Sequence, residues 1–142
     1  MRTLLLSFAL VTSICFAAPP KKGPDVVLGT RTVKGQFVGF EWGDYPHAII
    51  KDAKGKETDY FFGADGIDFY LCTRAKKPGI FTIQKVKTYI QEAGGWEIVD
   101  QVSKAKIGSP DSKAWWKAES KAHSQEWLFK KYQPLVDKLT RK

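Results

Sequence analysis

Few side chains in this sequence could do covalent chemistry. Beyond its first 17 residues the chain has two histidines, His47 and His123, and a single cysteine, Cys72. An enzyme needs a nucleophile beside a base, or a metal cluster, and these residues with scattered carboxylates do not assemble either. The aromatic and apolar run before Cys72 favours a buried small residue over a reactive thiol. The sequence therefore predicts a protein that is not an enzyme and holds no cofactor.

The most suggestive metal-ligand spacing is Asp44 and His47 beside Glu41. An aspartate in a loop before a Pro-His pair is more often part of ordinary turn chemistry. Asp65 and Asp68 lack the further oxygen ligands and the terminal glutamate of a calcium loop. We therefore predict no metal site.

The aromatic and basic residues indicate a binding function more strongly than any residues indicate catalysis or a metal site. Trp42, Tyr45 and Trp96 adjoin glycine-containing stretches, and Lys85 and Lys87 alternate on a predicted strand before Trp96. Aromatic platforms beside a positive groove hold single-stranded nucleic acids and glycans. The alternative is that Trp42 and Trp96 fill the core.

The first residues have the layout of a secretory signal peptide: one basic residue, a short apolar run and then small residues. We expect cleavage after Ala17, because a cut after Ala18 would put Pro19 directly behind the scissile bond. The alternative is a lipoprotein acylated at Cys15, although a large isoleucine precedes it. No second apolar run follows that could span a membrane. The mature chain is therefore expected in the periplasm or secreted, without a transmembrane segment.

The predicted export and the positive net charge together limit the classes of molecule that we expect this protein to bind. The net charge is +8 at pH 7, and from Lys113 onwards the chain has eight basic and three acidic residues. Lys113, Lys117 and Lys121 form a ridge that is either a solvated helix face or a contact for a membrane surface or anionic glycan. Export argues against nucleic acid as the natural partner. An anionic envelope polymer or another protein remains.

The stretch from Thr32 to Phe62 organises the predicted fold. Alternation from Val33 to Phe40 has the two-residue period of a strand, and Gly35 and Gly39 within it indicate a bulge or bend. The next elements are a loop at Gly43–Pro46, a strand at His47–Lys51, a turn at Ala53–Lys56 and a strand at Glu57–Phe62.

Later residues predict a helix, a hairpin and a helical tail. Apolar residues at helical spacing between Asp65 and Pro78 indicate a short helix, so the order is β-β-β-α-β-β. The hairpin comprises strands at Ile80–Ile90 and Trp96–Ile107 around a loop at Glu92–Gly95. From the cap Ser109, a helix is expected to about Tyr132 and a shorter one after a kink or break at Pro134. The apolar stripe of this tail consists of Trp115, Ala118, Ala122, Phe129, Tyr132, Val136 and Leu139.

This order resembles an OB-fold, a five-stranded barrel whose long, bent first strand serves both halves. The EWGDYPH and EAGGWE stretches are also similar to small exported bacterial proteins of unassigned function. We therefore predict a mainly β, α+β fold with a C-terminal helix, the alternative being a small open β-sandwich. The expected divisions are a signal peptide (1–17), a flexible leader (18–29), an OB-like barrel domain (30–108) and an amphipathic helical segment packed on it (109–142).

The resemblance implies a ligand face over strands two and three, flanked by the loops at 43–46 and 92–95. Tyr45 and Trp96 are the expected anchors, because Tyr45 lies in a turn bounded by glycine and proline, where a core role is hard to satisfy, and Trp96 begins a strand beside two glycines that allow close approach. The predicted ligand-binding residues are Trp42, Tyr45, His47, Lys85, Lys87, Tyr89 and Trp96. Two functions remain open: a module binding a ligand or anionic envelope polymer through its loop aromatics, or a protein-interaction factor such as an exported inhibitor or immunity-type protein.

Overall fold

The computed structural model describes residues 23–43, 45–63 and 65–142. The predicted signal peptide and the leader up to residue 22 lie outside these ranges. The fold is α+β and mainly β, as predicted. Its elements in chain order are β1 (Val26–Trp42), β2 (Pro46–Asp52), β3 (Glu57–Phe62), α1 (Ile67–Thr73), β4 (Pro78–Ile90), β5 (Gly95–Lys106), α2 (Ser112–Ala122), α3 (Gln125–Leu139) and β6 (Thr140–Arg141).

The strands form one mixed sheet whose pairings close into a ring. β1 pairs antiparallel with both β2 and β4, β2 with β3, and β4 with β5. β3 and β5 run parallel and pair at Phe61–Gln101 and Phe62–Val102. Pairing therefore runs from β1 through β2, β3, β5 and β4 back to β1. β6 joins the end of β1 in parallel, outside this ring.

Gly35 of β1 stands where the strand changes partner. Gly35 pairs with β4 on one edge and with β2 on the other. A Cβ at Gly35 would overlap the carbonyl oxygen of Lys51, so a larger residue would force the backbones apart. The expected irregularity is also present, because the register with β2 shifts between Phe37 and Gly39.

β1 begins earlier than the alternation predicted. Residues 26–29, which we assigned to the flexible leader, belong to the sheet, and Val26 pairs with Lys87. β2 pairs with β1 from Gly35 onwards, so within the described ranges residues 26–34 pair along one edge alone. Residues 26–30, 84–90 and 95–101 thus form a three-stranded extension of the ring, which we call the arm.

The hydrophobic core is shared by the ring, α1 and α3. Leu128, Tyr132 and Val136 follow one another at steps of four residues on α3, so they lie on a single stripe, and all three are buried. They join one cluster with Phe37, Phe40, Tyr60, Tyr70, Leu71, Phe81, Ile83 and Val102. Without α3, this side of the core would face water.

The helical tail breaks earlier than expected. α2 begins after Asp111, whose carboxylate accepts a hydrogen bond from the Ala114 backbone N–H at 2.9 Å, so Asp111 and not Ser109 is the cap. α3 begins after Ser124, whose hydroxyl accepts from the Trp127 N–H at 3.2 Å. Pro134 lies inside α3 and does not end it. The buried side chains at 132 and 136 hold the helix against the core on both sides of the proline.

Candidate functional site

Trp42 ties the C-terminal segment to the end of β1. Its indole Nε1–H donates a hydrogen bond to the Thr140 hydroxyl at 2.8 Å. Its ring centroid lies 6.5 Å from that of Phe40 and 6.2 Å from that of Phe62. The side chain therefore packs at the margin of the core, although 47% of its surface is exposed.

Tyr45 and His47 lie on the other face of the sheet. His47 pairs with Glu41 and with Phe61, so it shares a face with them and not with Trp42. Its ring meets that of Phe61 edge-on at 4.3 Å, and Tyr45 lies 5.8 Å from the same ring. The Tyr45 hydroxyl is buried and has no hydrogen-bond partner among the described residues.

The C terminus covers part of the face that the OB-fold resemblance implies. The Arg141 guanidinium donates to the Glu57 carboxylate of β3 at 2.8 Å, and this bond lowers the pKa of Glu57. A Cβ added to Gly39 of β1 would lie 3.8 Å from Arg141 Nε. Ile49, which pairs with Gly39 on this face, is buried. The tail thus occupies the middle of the β1–β2–β3 surface.

Four predicted residues come together on the arm. Lys85 pairs with Asp100, Lys87 with Ile98 and Tyr89 with Trp96 across β4 and β5, and residues two apart on a strand share a face. Tyr89 and Trp96 meet edge-on with centroids 5.8 Å apart, a favourable geometry for aromatic pairs. We call this surface the arm face; it consists of Lys85, Lys87, Tyr89, Trp96 and Ile98.

The arm face carries uncompensated positive charge. Arg31 of β1 donates to the Asp100 carboxylate at 2.8 Å, and this bond lowers the pKa of Asp100. Asp100 is therefore ionised at neutral pH and neutralised mainly by Arg31. Lys85 and Lys87 are exposed, and neither forms an ion pair within the described ranges.

The two predicted loops do not converge. The loop at 43–46 follows the last residue of β1, Trp42. The loop after β4 adjoins the first residues of β1, because Val26 pairs with Lys87, three residues before β4 ends. The two loops lie at opposite ends of a 17-residue strand. The seven predicted residues therefore divide into Trp42, the pair Tyr45 and His47, and the four on the arm.

Sequence reasoning missed Ile98 and Arg31. Ile98 is 60% exposed on the arm face, and its position two residues after Trp96 on a strand was the available signal. The role of Arg31 can be predicted only if β1 and β5 are known to lie on either side of β4, and a strand pattern does not reveal that order. A separate open groove of about 640 Å³ is lined by Lys34, Asp52 and Ile80 among others. None of the predicted ligand-binding residues lines it.

The indole of Trp115 is not available to the lysine ridge on α2. Lys113, Lys117 and Lys121 are exposed. Trp115, however, packs against Tyr70 and Tyr132 with centroids 5.8 and 5.4 Å away. This indole belongs to the core margin, which favours the solvated-face interpretation of the ridge.

Cys72 is buried, and its Sγ–H donates to the Phe69 carbonyl oxygen at 3.0 Å. Burial raises its pKa to about 12. The thiolate is the reactive form, so Cys72 in the native protein should react with a thiol reagent at pH 8 far more slowly than in denaturant. Absorbance of the released thiol product measures both rates, and equal rates would contradict the burial.

Comparisons with protein-family models, with curated proteins and with solved structures found no match to this chain. Within the described ranges, no group of three or more His, Cys, Asp or Glu residues could hold a metal ion. The Asp44 hypothesis concerns a residue outside those ranges. None of the described helices has the length and apolar character needed to cross a membrane.

Proposed function

We propose that this chain is an exported, non-enzymatic binding module that recognises an anionic envelope polymer through the arm face. One observation carries the proposal: the edge-on pair of Tyr89 and Trp96 shares an exposed face with Lys85 and Lys87. Aromatic rings stack on the apolar C–H faces of sugar rings, while the two lysines attract the charges of the polymer.

The strand order supports an OB-like barrel as the scaffold. A ring of five strands with β1 paired to both β2 and β4, β3 parallel to β5, and a helix between β3 and β4 fits that architecture. In this protein we place the binding surface on the arm and not on β2 and β3, because Arg141 lies across those two strands. Export rests on residues 1–17, and N-terminal sequencing of the secreted protein should begin at Ala18.

The test is binding to heparin and to polygalacturonate, two anionic polysaccharides, at low and high salt. Binding should weaken steeply with salt, because a polyanion releases counterions when it is neutralised. Trp96→Ala should cost more than about 1 kcal/mol of binding free energy. The double variant Lys85→Ala/Lys87→Ala should weaken binding and flatten its salt dependence.

Two variants serve as matched controls. Lys113→Ala/Lys117→Ala removes the same charge from α2, and Trp127→Ala removes a partly exposed indole from α3. Both should leave binding nearly unchanged. If the α2 double variant abolishes binding while the arm variants retain it, the arm face is the wrong site and the lysine ridge is the better one.

The second candidate is a protein-interaction factor, such as an exported inhibitor or immunity-type protein. The start of β1 supports this candidate. Its side chains Val26, Val27 and Leu28 are each about half exposed, and among the described residues this part of β1 pairs with β4 along one edge and has no strand at its other edge. Such an edge can accept a strand from another protein. A packed protein interface should respond less to salt than polyanion binding does, so a salt-insensitive partner from envelope extract would favour this candidate.

A further inference from the structure

An open pocket lies between the end of β3, the start of α1 and the first half of α2. Its volume is about 330 Å³, and its lining includes Pro46, Phe62, Asp68, Phe69 and Trp116. We call it the α1 pocket. None of these residues belongs to the arm face, so the pocket needs a separate explanation.

Three aromatic side chains line the α1 pocket. Phe69 and Trp116 have ring centroids 6.2 Å apart and are inclined at 60°. Phe62 contributes from β3, where it is held by Phe40 at 5.5 Å. Gly66 lets the indole approach, because a Cβ there would overlap the Trp116 ring. Rings from three separate elements thus converge on one space.

Asp68 is the charged member of the lining. No lysine, arginine or histidine forms an ion pair with it in the part of the chain that the structure describes. Burial raises the pKa of Asp68, and the backbone N–H of Phe69 offsets this only in part. A partly buried carboxylate without an ion-pair partner has lost hydration that a bound cation would offset.

We infer that the α1 pocket binds a small organic ammonium ion. Such a cation is attracted by aromatic ring faces and by a single carboxylate at once, and quaternary ammonium groups are recognised in this way. A metal ion is a poorer fit, because it needs several oxygen, nitrogen or sulfur ligands and the lining offers one carboxylate.

The test compares choline with 3,3-dimethyl-1-butanol, in which carbon replaces the charged nitrogen at nearly the same shape. Each is titrated into the full chain, and the Trp116 indole N–H signal is followed by NMR. Choline should shift this signal saturably, and the neutral alcohol should bind at least about tenfold more weakly. Equal binding of both, or no shift with choline, would overturn the inference without any variant.

Asp68→Asn provides the matched substitution. It keeps the shape of the side chain and should weaken choline binding about tenfold or more while leaving the weak binding of the alcohol unchanged. Asp65→Asn is the control, because Asp65 is exposed and is not among the lining residues. If both variants weaken choline binding equally, general surface charge and not the pocket attracts the cation. The arm variants should leave choline binding intact, so this test and that of the polymer site fail independently.

Discussion

Removal of residues 109–142 should abolish cooperative folding of the domain at room temperature. This segment contributes Leu128, Tyr132 and Val136 to the same cluster as Phe37 and Tyr70. Each large apolar side chain contributes about 1.5–3 kcal/mol when buried, and a domain of this size has a total stability of about 5–15 kcal/mol. The loss is therefore comparable to the whole stability. Thermal melting followed by circular dichroism, with light scattering for aggregation, measures it.

A pair of single substitutions in the full chain tests the same contact more finely. Leu128 is 1% exposed and its neighbour Phe129 is 59% exposed. Leu128→Ala should lower the free energy of unfolding by about 2–5 kcal/mol, because it leaves a cavity in the core. Phe129→Ala should change it by about 0.5 kcal/mol, as exposed positions do. A soluble truncated chain with an unchanged melt would mean that the barrel folds without the tail, and equal effects of the two substitutions would mean that Leu128 does not belong to the core.

The order of elements was predictable because its signals are local. Two-residue alternation and turn residues defined β3 with the same bounds that the structure has, Glu57–Phe62. The hairpin of β4 and β5 followed from alternation around a glycine-containing loop. Each of these signals depends on residues within about a dozen positions of one another, so no knowledge of distant contacts was needed.

Long-range contacts determined the features of the fold that could not be predicted from the sequence. Pro134 argued for a break in the tail, but Tyr132 and Val136 are buried on either side of it and keep α3 continuous. Arg141 reaches Glu57 across the sheet, and no pattern in either segment indicates that pairing. The start of β1 was missed for a similar reason, because residues 26–29 alternate poorly and are strand only through their partners on β4.

The same difference between local and long-range contacts determined which of the predicted site residues lie together. Lys85, Lys87, Tyr89 and Trp96 lie together because one antiparallel hairpin sets their register. Trp42 and His47 were predicted to belong to the same ligand-binding surface as these four residues. That prediction required two loops from distant parts of the chain to meet. The path of β1 places those loops at opposite ends. Residues joined by one hairpin can thus be grouped from sequence, whereas residues joined only through the sheet cannot.

Tyr70 should be the most sensitive single position of the junction between α1, β5 and α2. Its ring is fully buried, with the Arg74 guanidinium 4.1 Å from the ring centroid. Its hydroxyl accepts a hydrogen bond from the Ile107 N–H and donates one to the Pro110 carbonyl oxygen, both at 2.9 Å. One side chain therefore satisfies the backbone on both sides of the turn that leads from β5 into α2.

Two substitutions at Tyr70 separate its hydrogen bonds from its packing. Tyr70→Phe leaves the backbone groups of Ile107 and Pro110 without their partner and should cost about 1–3 kcal/mol of unfolding free energy. Tyr70→Ala also empties the ring site and should cost at least about 3–5 kcal/mol. Denaturant unfolding measures both, with Tyr89→Phe as the control, since Tyr89 lies on the arm opposite Trp96 and not at this junction. If Tyr70→Phe matches the unsubstituted chain, the hydroxyl does not hold the junction, and only the ring matters there.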